Sequence, residues 1–195
     1  MPSTLLVVDH PRRSSLTFAV AQAFAGALQR ADLGLEWADL AREGFDPRLG
    51  ELDEPDWSDP RKRYSEAVRA EMARIERHDA TVLVFPVWWW SMPARLKGWI
   101  DRVWNHGWAY GDRLYPHRRV WMIGVAGSGE EAYRKRGYDL ALRTQLEVGV
   151  LEYCGVREPR LELLYGVIES PAAAAAALVR ARALGEEFAA DMQGD

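Results

Sequence analysis

The chain has little cysteine, and that scarcity excludes two kinds of stabilisation. A single cysteine, Cys154, stands among 195 residues, so an internal disulfide cannot form. No paired cysteines have the spacing of a zinc site, and the histidines show no metal-ligand spacing either: His10, His78, His106 and His117. The absence of disulfides favours a reducing compartment, and we expect Cys154 to be a small core residue.

Strong charge of one sign and long apolar runs are also missing. Twenty-five basic and 29 acidic residues give a net charge of −4, without the broad basic field that nucleic-acid binding requires. A flavodoxin-type electron carrier, which usually docks through a far more acidic surface, is the weaker alternative. The chain shows no secretory leader pattern and no run long enough to span a membrane, so we expect a cytoplasmic protein.

Short apolar runs alternate with longer amphipathic ones along the whole chain. This alternation predicts an α/β fold, in which a doubly wound, five-stranded parallel sheet carries helices on both faces. We find no repeat and no linker, and therefore expect a single domain over residues 1–195. The expected strands are 5–8, 35–37, 82–85, 120–125 and 161–164, and the expected helices are 16–28, 64–75, 96–103, 139–153 and 171–188.

Capping residues support these helix boundaries. Ser14 or Ser15 can cap the first helix, Pro93 is placed to begin another, and Ser170 followed by Pro171 is typical of a helix start. Residues 42–62 mix glycine and proline with acidic residues, which predicts a long loop that serves as a lid or a dimer arm.

In such a sheet a ligand binds beyond the carboxyl ends of the strands, where three loops are expected to meet: 9–15, 86–92 and 126–133. The first loop holds His10, Arg12, Arg13 and Ser15 and then enters a helix, a combination that favours a phosphate group. Serine capping beside solvated arginines is the alternative explanation. The chain has no G-x-G-x-x-G and no Walker pattern, which weighs against the dinucleotide and P-loop folds that carry them.

The other two loops provide flat aromatic surface and glycines. Trp88, Trp89 and Trp90 are consecutive, and since side chains alternate along an extended chain, at least one must face a pocket or interface. Aromatic packing under a loop is the alternative. Gly127 and Ser128 can direct backbone N–H groups at an electron-rich ring edge, or can simply form a tight turn. Together the three loops favour flavin mononucleotide as the ligand.

At residues 85–103 the sequence resembles the F-P-L-x-W-[YF]-x-x-P-A-x-L-K-G-W-x-[DE]-R-V block of the flavodoxin-like NAD(P)H:quinone oxidoreductase family, which includes DT-diaphorase-like members. Residues 105–111, Asn-His-Gly-Trp-Ala-Tyr-Gly, are similar to the ancillary flavoproteins of glutathione-gated potassium efflux systems. A looser resemblance extends over most of the chain.

The resemblance implies a flavodoxin-like sheet of order 2-1-3-4-5 and a homodimer with a flavin at the subunit edge. It implies ping-pong transfer of a hydride from NAD(P)H to FMN, with FAD as the alternative, and then to a quinone-like or nitro/azo acceptor. A regulatory ancillary subunit that docks on a potassium efflux transporter is a compatible alternative. The sequence does not decide whether the electron donor is NADH or NADPH, because Arg12 or Arg13 alone does not identify a binding site for the 2′-phosphate.

The resemblance also assigns roles to individual residues. Trp108 and Tyr110 match aromatics that complete the acceptor pocket from the second subunit. Gly127 and Ser128 match the loop near the polar edge of the flavin, and Tyr133 matches a tyrosine beside it. The expected cofactor-binding set is His10, Arg12, Ser15, Leu16, Thr17, Pro86, Val87, Trp88, Trp89, Trp90, Gly127, Ser128 and Tyr133.

One departure from the family pattern concerns catalysis. Asp139, beside Tyr138, occupies the position of the catalytic histidine of the mammalian members. An ionised aspartate cannot stabilise an anionic reduced flavin, so this role is assigned to the Gly127 and Ser128 backbone and to Tyr133. We expect Asp139 to cap the following helix, and Lys97 and Arg102 to be solvated or paired with Asp101 or its neighbours.

Overall fold

The computed structural model describes residues 1–59 and 61–194. Pro60, which belongs to the expected 42–62 loop, and Asp195 lie outside the described residues. Within those ranges, no helix is both long enough and apolar enough to cross a lipid bilayer.

Five parallel strands form one sheet in the order β2-β1-β3-β4-β5. Central strands β3 and β4 are buried along their whole length, as expected where helices cover both faces. The carboxyl ends of β3 and β4 lie side by side, with Pro86 opposite Val125. The predicted fold class and strand order are confirmed. The strands are β1 (Ser3–Val8), β2 (Gly34–Asp39), β3 (Ala80–Pro86), β4 (Arg119–Val125) and β5 (Glu158–Leu164).

The helices divide the apolar side chains into two cores. On one face, α1 and α7 pack against the sheet around Phe24, Trp121 and Phe188. On the other, α3 and α4 pack around Leu83 and the buried Trp99. The helices are α1 (Leu16–Arg30), α2 (Leu40–Glu43), α3 (Glu66–Glu76), α4 (Ala94–Val103), α5 (Glu130–Arg136), α6 (Tyr138–Leu142) and α7 (Pro171–Gly194).

Two helices, α1 and α7, begin where the sequence predicted. Ser15 caps α1, since its Oγ accepts a hydrogen bond from Phe18 N at 3.3 Å. Ser170 Oγ accepts one from Ala173 N at 3.1 Å, and Pro171 is the first residue of α7. Pro93 is the residue that precedes α4 rather than its first residue.

The segment 42–62 is less irregular than predicted. Its first residues complete α2, and a 3₁₀ turn spans Glu51–Asp53. The segment folds back over α4, and Arg102 Nη2 lies 2.7 Å from the buried Asp53 carboxylate. The prediction of a solvated or Asp101-paired Arg102 is therefore wrong, because a distant loop supplies its partner. Lys97 does pair with Asp101, at 2.6 Å.

The helix predicted at 139–153 has two parts, α6 and a π-helix. Gly137, at φ +68°, separates α5 from α6, and Arg143–Glu152 continues α6 as a π-helix. Gly137 is the N-cap of α6, which has no side-chain cap, so the predicted capping role of Asp139 is wrong. Cys154 follows the π-helix and is buried, and burial raises the pKa of its thiol to about 11.

Candidate functional site

The three loops after β1, β3 and β4 meet at one pocket of ≈ 550 Å³ beyond the carboxyl edge of the sheet. This is where an open parallel sheet binds its ligands, and the volume lies within the usual range for a cofactor site. The pocket collects most of the residues predicted to bind a cofactor. Those that line it are His10, Arg12, Ser15, Leu16, Thr17, Pro86, Val87, Trp88 and Gly127.

The first loop ends in an anion-binding helix terminus. The Ser15 cap takes up the Phe18 N–H, and Ala19 N donates to Ser15 O. The N–H groups of Leu16 and Thr17 therefore remain available at the positive end of the α1 dipole. Arg13 Nε donates to Asp39 at 2.9 Å, whereas exposed Arg12 has no ion pair within residues 1–59 and 61–194. Arg12 is the cation available to a phosphate.

His10 contributes a neutral ring to this end of the pocket. Its Nδ1 lies 3.0 Å from Arg12 N and 3.1 Å from Arg12 O, so Nδ1 accepts from the first or donates to the second according to the ring tautomer. Burial lowers the pKa of His10, so the imidazole is uncharged at neutral pH. Its centroid lies 5.8 Å from that of Trp88. His10 can form a hydrogen bond with a ligand but does not add positive charge.

A buried carboxylate joins the first loop to the second. Asp9 follows β1, and its two oxygens accept hydrogen bonds from Arg95 Nη1 at 3.0 Å and from Leu96 N at 3.2 Å. Burial raises the pKa of Asp9. The contact fixes the N-terminus of α4, and with it the tryptophan loop, against the residue before His10. Sequence reasoning missed this function, although an aspartate directly after a buried strand was a visible signal.

The tryptophan loop is a tight turn with a left-handed backbone. Trp88 N donates to Ser91 O at 3.0 Å, and Ser91 N donates to Trp88 O at 3.1 Å. Between them, Trp89 has φ +51° and Trp90 has φ +52°. Two positive φ values mark a mirror-image turn that usually requires glycine or asparagine. Such strain is typical of functional sites, and here it projects Trp89, 89% exposed, into solvent.

An aromatic cluster lies beside the pocket. The rings of Trp90 and Tyr138 have centroids 4.2 Å apart, and Tyr133 meets Tyr138 at 5.9 Å and Tyr165 at 5.1 Å. Burial raises the pKa of Tyr133, which keeps its phenol protonated. Trp89, Trp90, Ser128 and Tyr133 do not line the pocket that holds His10.

The glycine-rich loop is closed by a fourth loop. Gly166 N donates to Ser128 O at 2.9 Å, and Gly129 N donates to Glu169 Oε1 at 2.7 Å. A β-carbon at Gly127 would lie 3.2 Å from Ile168 Cδ1, so the two loops nearly touch. Sequence reasoning missed this loop, although it follows β5 at the same sheet edge. Its contributions to the pocket lining are Val167, Ile168 and, from α7, Ala174.

Trp108 and Tyr110 lie apart from the pocket within this chain. Trp108 is buried, and its Nε1 donates to Glu76 Oε1 at 2.8 Å. The ring centroid of Tyr110 lies 5.6 Å from that of Trp57 and 5.5 Å from that of Tyr153. Tyr110 lines a separate groove of ≈ 410 Å³. Within the described residues, neither Trp108 nor Tyr110 lines the pocket that holds His10.

Comparison with known proteins places this geometry among redox enzymes. A family model described as flavodoxin-like fold matches residues 2–185. The chain is 36% identical to an uncharacterised NAD(P)H oxidoreductase of Escherichia coli (strain K12) over 164 residues, covering 84% of this chain and 83% of that protein. It is 26% identical over 191 residues to NAD(P)H dehydrogenase (quinone) 1 of Cavia porcellus, covering 86% and 70%.

A solved structure shows the same relationship in three dimensions. The NAD(P)H:quinone oxidoreductase from Methanothermobacter marburgensis matches with a TM-score of 0.91 and 30% sequence identity, covering 96% of this chain and 98% of that one.

Proposed function

This chain belongs to the family with the flavodoxin-like fold, and on that premise we propose that it is a flavin-dependent NAD(P)H oxidoreductase acting on quinones or similar acceptors. One observation carries the proposal: a single pocket joins a helix N-terminus, a tryptophan loop and a glycine loop at the carboxyl edge of the sheet. Its relatives named as NAD(P)H oxidoreductases and quinone dehydrogenases support the same chemistry.

The residues present fit a flavin mononucleotide. The N–H groups of Leu16 and Thr17, with the guanidinium of Arg12, would hold its phosphate. Val87 and Trp88 provide flat apolar surface for the ring, and a β-carbon at Gly127 would lie 3.2 Å from the Ile168 side chain, so glycine keeps this edge of the pocket open. We propose FMN rather than FAD, because the residues that line this pocket are assigned to a phosphate and a flat ring, and none of them is assigned to an adenylate group.

When bound, the flavin supplies reversible two-electron hydride chemistry. The chain's own part is binding, orientation and electrostatics. Amide N–H groups at Gly127 and Ser128 can donate to a polar ring edge and stabilise negative charge that develops there. Tyr133 keeps its proton and contacts Tyr138 without lining the pocket, so we propose that it positions the Tyr138 ring rather than touching the cofactor. A hydride donor and an acceptor that occupied this pocket in turn would give ping-pong kinetics.

A decisive test is the anaerobic half-reaction. Purified protein loaded with FMN should lose its flavin absorbance after NADH or NADPH, and should regain it after benzoquinone. Bleaching without reoxidation would contradict quinone reduction, and a stable one-electron form would favour the carrier alternative. Failure to bind FMN would overturn the proposal, whereas retention of FAD alone would correct the cofactor.

We also propose that the active form is a homodimer. The groove lined by Tyr110 is rich in aromatic and aliphatic side chains, and Trp57 and Tyr153 on its rim are 69% and 61% exposed. Exposed apolar surface of this kind marks an interaction site. A second copy would cover it and could bring Trp108 and Tyr110 towards the pocket of the first. Docking on a potassium efflux transporter is a separate proposal that co-purification would test.

A further inference from the structure

A second concave surface has a chemistry unlike that of the flavin pocket. It encloses ≈ 340 Å³ between the 61–69 segment and the 106–108 turn. Arg61, Lys62, Arg63 and Arg69 form a cationic rim, and Met72 and Trp108 contribute apolar floor. Four cations around one small cavity are conspicuous in a chain whose net charge is −4.

These cations have no carboxylate partner within residues 1–59 and 61–194. Two of them are anchored by neutral groups: Lys62 Nζ donates to Glu54 O at 2.6 Å, and Arg69 Nε donates to Tyr64 O at 3.2 Å. Arg74, by contrast, pairs with both Glu36 and Glu43. Two of the four rim cations, Lys62 and Arg69, are thus held in place, and the positive charge of the rim is largely uncompensated.

The nearest acidic loop residues are already engaged. Asp56 accepts hydrogen bonds from Ser58 N and Oγ, and Asp59 accepts one from Arg61 N at 3.0 Å. Asp56 is close enough to Lys62 for the ammonium to help lower the aspartate pKa. This charge reduces the field of the rim without neutralising four cations.

The base of the cavity is apolar and fixed in position. Trp108 is buried, with its indole N–H fixed on Glu76, so its ring cannot turn freely. Tyr64 OH donates to His106 O at 2.8 Å and joins the two walls. An aromatic floor beneath a cationic rim suits a ligand that combines a planar ring with a dianion, since the ring can pack while arginines bind the charge.

We propose that this pocket binds a phosphate carried on a purine nucleoside. One source is the 2′-phosphate end of NADPH, which rests on the proposed function, and the other is a separate nucleotide. Direct binding distinguishes phosphate recognition from simple packing. By calorimetry on FMN-loaded protein, adenosine 2′-monophosphate should bind at least about tenfold more tightly than adenosine, and added salt should weaken that preference.

Two double variants test whether the cationic rim contributes to binding. R61Q/R63Q removes two exposed cations of the pocket and should weaken adenosine 2′-monophosphate binding about tenfold. R157Q/R182Q removes two exposed arginines elsewhere and should leave binding unchanged. Thermal unfolding verifies that both variants are folded. Equal binding of adenosine and its 2′-phosphate, or equal effects of the two variants, would overturn the proposal.

Kinetics then identify the source of the phosphate. If NADPH supplies it, R61Q/R63Q raises the ratio of KM for NADPH to KM for NADH about tenfold while the control pair leaves this ratio constant. An unchanged ratio with impaired binding of adenosine 2′-monophosphate supports a separate nucleotide. Absence of turnover with either dinucleotide defeats the proposed function but not the site, because the binding measurement does not depend on turnover.

Discussion

Trp89 and Trp90 occupy a backbone conformation that costs free energy for any residue with a β-carbon. The left-handed region disfavours L-residues by about 1–2 kcal/mol each, yet the hydrogen bonds between Trp88 and Ser91 close the turn around both. The contact of Trp90 with Tyr138 offsets the backbone strain at Trp90. Trp89 has the highest exposure of the three tryptophans, and so recovers the least through packing.

Trp89→Gly should therefore raise the free energy of unfolding of the flavin-free protein. Relief of the strain exceeds the extra chain entropy of glycine, about 0.5–1 kcal/mol, and leaves a net gain of about 0.5–1 kcal/mol. Urea unfolding measures it. Trp90→Gly has the same backbone relief but loses the Tyr138 contact, and should be neutral or destabilising. Equal gains in both variants would contradict this explanation.

Ser15 has two functions at one atom, because it caps α1 and lines the flavin pocket. Ser15→Ala should lower the free energy of unfolding by about 1 kcal/mol and should raise the Kd for FMN about fivefold, as measured by fluorescence titration. Ser65, which caps α3 through Val68 N, provides the control. Ser65→Ala should also destabilise the protein while the Kd for FMN stays the same, and a changed Kd there would refute the distinction.

At the scale of the elements, the contact between α1 and α7 depends on one glycine. A β-carbon at Gly185 would lie 2.5 Å from Phe24 O and 2.8 Å from Ala27 Cβ, whereas one at Gly26 of α1 would meet only Arg30 Nη1 at 3.5 Å. Glycine is needed at position 185 because the helix backbones approach closely there. At position 26 glycine only adds the entropic cost of ordering a flexible residue on folding.

The two glycines should thus respond in opposite directions to the same substitution. Gly185→Ala should destabilise by about 1–3 kcal/mol through overpacking, and Gly26→Ala should stabilise by roughly 0.5–1 kcal/mol through helix propensity. Chemical denaturation gives both values. A loss of stability at Gly26, or none at Gly185, would show that the α1–α7 packing is misassigned.

The Asp9 contact couples β1 to α4 and makes that coupling sensitive to pH. Burial raises the folded-state pKa above the ordinary value of 3.8, so the folded chain binds this proton more tightly than the unfolded chain does. The resulting stabilisation is complete below pH 3.8 and is lost as the pH rises through the folded-state pKa.

Asp9→Asn removes this titration while keeping an oxygen for Leu96 N. The free energy of unfolding of the wild type relative to the variant should fall as the pH rises from about 3.8 towards neutrality. Urea titrations at successive pH values measure the difference. If it is independent of pH, or increases with pH, the assigned direction of the pKa shift is wrong.

The helices and strands could be predicted where burial leaves an apolar pattern in the sequence. The position of the site could be predicted because its loops directly follow the strands. β3 and β4 are apolar apart from Thr81 and Arg119, because both faces of these strands are covered, and Ser15 stands at a helix start. Pairing between distant residues left no such pattern: Asp9 and Arg95 are 86 positions apart, and Asp53 and Arg102 are 49 apart. Local propensity even opposed the Trp89 turn, which the hydrogen bonds between Trp88 and Ser91 and the contact of Trp90 with Tyr138 stabilise.

At the scale of the whole molecule, the exposed aromatic groove predicts self-association. Tyr153→Glu places a charge on its rim and should convert the proposed dimer into a monomer of 22.1 kDa. Val179, 71% exposed on α7, lies outside the groove, so Val179→Glu should leave the mass unchanged. Sedimentation equilibrium measures the molecular mass of the wild type and of both variants. A monomeric wild type would disprove the homodimer.

The distribution of the nine tryptophans gives the molecule a built-in optical reporter. Trp99, Trp104, Trp108 and Trp121 are buried, whereas Trp88, Trp89 and Trp90 stand exposed together in the loop that borders the pocket. Indoles in water emit at longer wavelengths than buried ones, and flavins absorb where indoles emit. Occupation of the pocket will therefore quench the red side of the emission band first, and unlabelled protein can report its own loading in real time.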